Sequence, residues 1–205
     1  MPAYSFLTLK SPGQGIYKDK GSKFLSFAYS VSTESEVREK IAALKSEYFD
    51  AHHHCFAWVL GPEKNQFRAF DDGEPSHSAG DPILGQIRSR NLTNVLLVVV
   101  RYFGGTKLGV GGLISAYKAA AEDALNNSTV IDQEVMERIT LCYEYSITSD
   151  VMRLAKDFDI VIISQEFKDQ CELRADLPLR HKERFNEKVK LMKDLGLPVT
   201  LAFYR

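Results

Sequence analysis

This sequence of 205 residues contains few of the features that mark large classes of protein. Its three cysteines, Cys55, Cys142 and Cys171, are far apart and form no CxxC pair. An odd number of scattered cysteines argues against a disulfide framework and against a structural zinc site. We therefore expect free, reduced thiols and a cytoplasmic protein.

Long hydrophobic runs are also missing, and we expect no secretory leader. The longest apolar stretch, residues 95–100, is far shorter than the roughly 20 residues that cross a bilayer. The first ten residues lack the basic segment and apolar core of a signal peptide. The sequence therefore predicts no membrane partner.

Neither sign of charge is in excess. There are 26 lysines and arginines against 27 aspartates and glutamates, which gives a formal net charge of −1. No global field draws the chain to nucleic acid, so any such binding needs a local patch. A hydrophobic content of 44% is ordinary for a globular protein and allows a sizeable core.

Standard catalytic and nucleotide-binding motifs are absent as well. There is no GxSxG elbow, Val110 stands where a Walker A loop needs lysine, and Ile114 stands where GxGxxG needs glycine. Cys55 lies in an apolar segment, which does not favour a reactive thiolate. We expect no catalytic residue, no cofactor and no bound metal ion.

What is present indicates an α+β chain of two domains, residues 1–130 and residues 137–205, separated by a polar stretch. The first domain is predicted to contain strands around Lys20-Gly21, a helix capped by Thr33 and Glu36, and a central strand over residues 54–60. A polar loop over residues 71–82, a helix over 83–90, a buried strand over 95–100 and a helix over 113–125 follow. In the second domain the patterns predict the order βαββαβ, the ferredoxin-like arrangement.

A glycine-rich loop joins the buried strand to the last helix of the first domain. It has five glycines among residues 104–112, with Arg101 and Lys107 close by. Glycine lets a ligand approach the backbone amides, and a helix start attracts anions. Two interpretations explain this pattern about equally well. The glycines could serve a bound anion, above all phosphate, or they could allow close packing at a tight connection between strand and helix. The predicted anion or nucleic-acid contacts are Arg101, Tyr102, Gly104, Gly105, Lys107, Gly109, Gly111 and Gly112.

An acidic loop is the second candidate site. Its residues are Asp71, Asp72, Gly73, Glu74 and Pro75. Three carboxylates in four residues could hold a divalent cation, but Asp-Gly and Glu-Pro are also strong turn dipeptides, and a solvated turn is the favoured interpretation.

Two further groups of residues have the chemistry of a site. His53 and Cys55 share one face of a strand. Two ligands are too few for a zinc site unless other residues contribute, so packed histidines are the favoured interpretation. Residues 180–193 carry six cations and two anions, a charge of +4. Such a helix could follow a phosphate backbone, although a solvated helix face is the more common explanation.

Several separated motifs occur together in the order typical of one family. These are Asp72-Gly-Glu-Pro-Ser76, Ala79-Gly80, Arg101-Tyr-Phe-Gly-Gly, Lys107-Leu-Gly109, Gly111-Gly-Leu113 and Ala116-Tyr117, together with His53 and Cys55. They closely resemble the YigZ/IMPACT family. His77 and Ser115 stand where that family more often has a small and a basic residue.

The resemblance implies a first domain like the second domain of ribosomal protein S five, a fold shared with elongation factor G, and a ferredoxin-like second domain. It also implies a cytosolic protein that binds RNA or the ribosome. Eukaryotic relatives modulate translation through the regulator of a stress kinase, so a translation-regulatory protein is a further expected partner.

We therefore expect a non-enzymatic binding protein acting in translation, with RNA phosphates on the glycine loop, Arg101 and Lys107. The alternative is an enzyme that acts on a phosphorylated small molecule or nucleotide and holds Mg²⁺ at the acidic loop. The sequence does not indicate the oligomeric state.

Overall fold

A computed structural model describes residues 4–203. The chain folds as two units, Phe6–Gln133 and a second unit formed by residues 134–203 with Tyr4 and Ser5. The division falls inside the polar stretch that separates the two predicted domains. No helix among residues 4–203 is long and apolar enough to cross a membrane.

The first unit is built on a five-stranded antiparallel sheet with helices on both faces. Its elements are β1 (Ser5–Ser11), β2 (Gly13–Asp19), β3 (Ser22–Ser30), α1 (Glu34–Glu47), β4 (His53–Leu60), β5 (Gln66–Phe70), α2 (Gly80–Ser89), β6 (Val95–Tyr102), α3 (Gly109–Asn126) and β7 (Thr129–Glu134). The strand order is β2-β3-β6-β4-β5, and β1 pairs with β7 in a separate ribbon.

The central strand β6 is apolar on both faces because both faces are covered. Val95, Leu97 and Val99 pack with α2 and α3. Leu96, Val98 and Val100 pack on the other face with α1. Complete burial of these residues explains the continuous hydrophobic run, since a strand exposed on one face would alternate.

Close packing of α3 on β2 depends on small residues. A Cβ atom at Gly13 would lie 2.2 Å from the carbonyl oxygen of Ala124, and one at Gly15 would lie 2.5 Å from the Ala124 nitrogen. The helix presents buried alanines to the sheet, and Ser26 donates a hydrogen bond of 2.6 Å to the Ala120 carbonyl. Glycine and alanine thus set the distance between α3 and the sheet. This distance in turn sets the position of the start of α3.

The second unit contains β8 (Met136–Tyr143), α4 (Thr148–Asp157), β9 (Val161–Phe167), β10 (Cys171–Pro178), α5 (Lys182–Asp194) and β11 (Val199–Phe203). All pairings are antiparallel, in the order β11-β8-β10-β9. Inward residues of the sheet form one core with both helices, including Leu141, Leu173 and Phe185. The predicted order βαββαβ is confirmed.

Three strands and two helix limits differ from the sequence prediction. The strands β1, β5 and β7 are additional to the predicted ones, and β5 and β7 are short and largely exposed, so little burial marks them in the sequence. The strand β7 occupies most of the stretch predicted as a polar connection. Helix α2 begins at Gly80 and α3 at Gly109, earlier than predicted, since their first turns hold polar residues and glycines.

Candidate functional site

The acidic and glycine loops meet in one cleft of about 330 Å³ in the first unit. Glu74 and Pro75 line it from the acidic loop, and Arg101 and Phe103 from the end of β6. The remaining lining residues are Lys107, Leu108, Gly109, Val110 and Leu113, from the glycine loop and the first turns of α3. The cleft therefore combines charged groups with a largely apolar wall.

Strand pairing and loop hydrogen bonds explain this convergence. His53 of β4 lies directly opposite Arg101 of β6. The Nδ1 atom of His53 donates to the Asp72 carbonyl at 2.8 Å, and the His54 amide donates to the Asp72 carboxylate at 2.6 Å. These bonds fold the acidic loop back over the end of the sheet where the glycine loop begins.

Asp71 caps helix α2. Its carboxylate accepts from the backbone amides of Gly80, His77 and Ala79 at 2.8, 3.0 and 3.0 Å. Burial raises the pKa of Asp71, but the hydrogen bonds from these amides outweigh burial, so its pKa lies below its ordinary value. A carboxylate occupied in this way holds the loop in place.

Glu74 is the buried centre of the cleft. Its Oε1 atom lies 2.6 Å from Nη1 of Arg101, accepts a hydrogen bond of 2.7 Å from the Tyr117 hydroxyl, and is 3.9 Å from Nε2 of His53. Only 4% of the Glu74 side chain and 6% of the Arg101 side chain are exposed. A buried ion pair is costly to break, because removal of one partner leaves an uncompensated charge.

The three carboxylates of the acidic loop are thus held by protein donors. Asp72 accepts from the His54 amide and lies 3.7 Å from Nζ of Lys45. Gly73, with φ of +87°, completes the turn. Within residues 4–203, no group of three or more His, Cys, Asp and Glu side chains is arranged to hold a metal ion.

Cys55 and Tyr117 form the floor beneath Glu74. The Cys55 thiol lies 3.0 Å from the Asp71 carbonyl and 3.3 Å from the Tyr117 hydroxyl. Burial raises the pKa of the Cys55 thiol, a shift that the Tyr117 hydrogen bond only partly opposes, and burial also raises the pKa of Tyr117. Cys55 is therefore a protonated thiol at neutral pH and not a nucleophile.

The glycine loop presents its polar groups differently. Helix α3 begins at Gly109, so Gly109, Gly111 and Gly112 belong to its first turn, and no side chain caps this end. Lys107 is exposed at the cleft and has no ion pair among residues 4–203. Uncapped amides and a free cation are the groups that an anion would bind.

The predicted site residues divide between three positions. Arg101, Lys107, Gly109, Glu74 and Pro75 line the cleft. Gly104, Gly105, Gly111 and Gly112 are not among the residues that line it, whereas Asp71, Asp72, Gly73 and His53 anchor the acidic loop.

Tyr102 is not in the cleft. It packs on the α1 face of the sheet, where its hydroxyl donates to Asp50 at 2.9 Å. Adjacent residues of a strand point to opposite faces, so Tyr102 and Arg101 could not both face the cleft.

Two aromatic residues of the site are absent from the set predicted from sequence. The ring of Phe103 lines the cleft and is 42% exposed. The same alternation that turns Tyr102 away places Phe103 on the side of Arg101, and this signal could have found it. Tyr117 lies four residues after Leu113 on the buried face of α3, a spacing that also places it below the cleft.

The part of the chain that forms this cleft matches a known protein family. Residues 20–125 match the Impact N-terminal domain, and they include both loops and every residue that lines the cleft. The IMPACT family member YvyE of Bacillus subtilis is 31% identical over 184 residues, which cover 90% of this chain and 85% of that protein. The chain belongs to the IMPACT family.

Other relatives agree with this assignment. The IMPACT family member YigZ of Escherichia coli is 32% identical over 187 residues, 90% of this chain and 92% of that protein. A protein from Saccharomyces cerevisiae named Protein IMPACT homolog is 34% identical over 96 residues, 44% of this chain and 36% of its own length. A solved structure titled "Crystal structure of an hypothetical protein" has a TM-score of 0.75 and 29% identity, and covers 99% of this chain and 98% of its own.

Proposed function

We propose that this IMPACT family protein is a cytosolic, non-enzymatic protein that binds RNA, on the ribosome or free of it, and so takes part in the regulation of translation. One observation carries most of the weight. The cleft places a free lysine and the uncapped start of α3 beside an exposed aromatic ring. These are the groups that bind a phosphate and an unpaired base.

Arg101 has a different part in this proposal from the one expected of it. It is buried and neutralised by Glu74, so it holds the two loops together and does not reach an RNA phosphate. The accessible contacts are Lys107 and the amides at the start of α3. A translation-regulatory protein would then be a partner of the RNA-bound protein and would use another surface.

Binding to ribosomes and to structured RNA, measured by fluorescence anisotropy between about 50 and 200 mM salt, tests the proposal. We expect affinity to fall as salt rises, because each neutralised phosphate releases counterions. Lys107→Ala should lower affinity. The matched control is Lys118→Ala, an exposed lysine of α3 that does not line the cleft. Absent or salt-independent binding, or equal effects of the two variants, would overturn the proposal.

The alternative, an enzyme acting on a phosphorylated small molecule or nucleotide with Mg²⁺ at the acidic loop, is supported by the size of the cleft, which is within the range of small-ligand sites. Against it, Asp71, Asp72 and Glu74 already accept hydrogen bonds from the protein.

A thermal-shift screen with nucleotides and Mg²⁺ separates the two functions. A ligand at 100 times its dissociation constant adds about 2.7 kcal/mol to the free energy of unfolding. A Mg²⁺-dependent shift that Asp72→Asn abolishes would favour the enzyme, whereas we expect no such shift.

A further inference from the structure

The hairpin between β2 and β3 carries three lysines, and its turn packs against the glycine loop. Lys18, Lys20 and Lys23 are all exposed, and none of them has an ion pair among residues 4–203. Lys18 and Lys23 stand directly opposite each other in the strand register. Like charges in such cross-strand positions repel, and Asp19 is the nearby acid of the hairpin, so the cluster keeps a net positive charge.

The turn of this hairpin holds one of these lysines in an unusual conformation. Lys20 has φ of 44° and Gly21 has φ of 80°, as a two-residue type I′ turn requires. Asn, Asp and Gly are the residues favoured at the position of Lys20, because a left-handed conformation is costly for longer side chains. The lysine thus brings a charge to the tip of the hairpin at some cost in stability.

Backbone contact places the turn of this hairpin beside the glycine loop. A Cβ atom at Gly104 would lie 1.8 Å from the carbonyl carbon of Gly21, so the two loops pack backbone against backbone. The Gly104 amide also donates to Ser22 Oγ at 3.2 Å, and Lys23 lies opposite Tyr102 in the sheet. Paired residues share a face of the sheet, so Lys18 and Lys23 lie on the α1 face with Tyr102, and Phe103 stands at the end of β6 between that face and the cleft.

The ring of Phe103 is held in place for stacking. The guanidinium carbon of Arg101 lies 5.7 Å from its centroid, and the ring of His52 meets it at 6.2 Å with an interplanar angle of 66°. The Phe103 amide also donates to His52 Nδ1 at 3.4 Å. An aromatic side chain that is supported on one side and 42% exposed offers a surface for an unpaired base.

We propose that the RNA bound by this protein is single-stranded and passes over the end of the sheet, with an unpaired base stacked on Phe103 and the adjoining phosphates on Lys20 at the tip of the hairpin and on Lys18 and Lys23 of the α1 face. This inference rests on the proposed RNA binding and names its ligand class. Base-paired RNA keeps its bases inside the helix, so a duplex could use the lysines but not the ring.

The test compares a labelled RNA strand of about 12 nucleotides with a duplex of the same length. We expect tighter binding of the single strand, and Phe103→Leu should weaken it by roughly tenfold while leaving the duplex unchanged. The matched control is Phe67→Leu. Phe67 is 49% exposed and has Arg88 at 4.3 Å from its ring centroid, but it does not line the cleft.

A second variant tests the hairpin independently of the ring. Replacing Lys18, Lys20 and Lys23 with glutamine should reduce the slope of log affinity against log salt by about 2, since each single-strand phosphate contributes roughly 0.7. The control replaces Lys10, Lys40 and Lys156, which are exposed and line neither the cleft nor the hairpin, in the same way and should leave the slope unchanged.

The outcomes separate this inference from the proposed function. RNA binding with no preference for the single strand, a silent Phe103→Leu, or an unchanged salt slope in the hairpin variant would overturn the single-strand inference and leave RNA binding in place. Absence of binding to any RNA and to ribosomes would overturn the proposed function itself.

Discussion

The two loops that meet at the cleft differ in whether their polar groups have hydrogen-bond partners within the fold. In the acidic loop, the carboxylates of Asp71, Asp72 and Glu74 all accept hydrogen bonds from donors within the fold. In the glycine loop, Lys107 and the start of α3 have no such partners among the described residues. A high density of charge in a sequence therefore does not identify a ligand site, because a ligand needs groups that have no partners within the fold.

The largest expected effect comes from breaking the Glu74–Arg101 pair that joins the loops. Arg101→Met should lower the free energy of unfolding by roughly 3–5 kcal/mol, because the Glu74 carboxylate would be buried without its cation. Urea denaturation measures the change.

The double variant with Glu74→Gln is the control for this first prediction. It should recover part of the lost stability, since it removes the uncompensated charge. Equal stability of the single and double variants would show that the two side chains do not act as a pair.

A smaller effect is expected from the helix cap in the acidic loop. Because the pKa of Asp71 is depressed in the folded protein, its charge stabilises the fold above its ordinary pKa, and this contribution is lost as the pH falls through the depressed value. Asp71→Asn should therefore cost about 1–2 kcal/mol at neutral pH and progressively less below about pH 4.

Urea denaturation between pH 7 and the acid range checks this second prediction. Asp132→Asn, a change at an exposed aspartate of β7, should alter neither the stability nor its pH dependence. A cost of Asp71→Asn that stays constant with pH would exclude the charge of Asp71 as its cause.

Two glycines should have effects of opposite sign, and the effect at Gly111 is the smallest expected here. Gly104→Ala should destabilise the fold by roughly 1–3 kcal/mol, since its Cβ would collide with the Gly21 backbone. Gly111→Ala places a Cβ in open space at the start of α3 and should stabilise the fold by about 0.5 kcal/mol.

RNA binding of the Gly111→Ala variant tests whether Gly111 serves a ligand or only the fold. If Gly111 serves the approach of a ligand, the more stable variant should bind RNA less well. Thermal unfolding and RNA anisotropy on the same sample give both quantities, and unaltered affinity would restrict the role of Gly111 to the fold.

Much of the architecture could be predicted because local patterns matched the final environment. The continuous apolar run of β6 indicates a strand that is buried on both faces. The alternation in β8 indicates a strand that packs on the core mainly with one face. The predicted N-cap of α1 is confirmed by the hydrogen bond of 3.2 Å from the Glu36 amide to Thr33, although the return bond to the Glu36 carboxylate comes from Ser32. The strands β5 and β7 are short and largely exposed, so burial leaves too weak a pattern in their sequences to predict them in this way.

The candidate site was predictable only in part, because its assembly depends on contacts between distant residues. Arg101 and Lys107 look alike in the sequence as cations beside the glycine loop, yet their environments are opposite. A salt bridge to Glu74, 27 residues earlier in the chain, buries the arginine, whereas the lysine stays exposed. Likewise, nothing local to the β2–β3 hairpin indicates that Gly21 contacts Gly104.

Residue types at fixed spacings were enough to predict the family, the order βαββαβ of the second unit and the two loops that carry the motifs. The meeting of these loops in one cleft, the internal hydrogen bonds of the carboxylates and the position of Phe103 beside Arg101 and His52 are visible only in the folded chain. Hydrogen bonding, burial and charge compensation depend on neighbours in space, and strand register and helix packing bring these neighbours together.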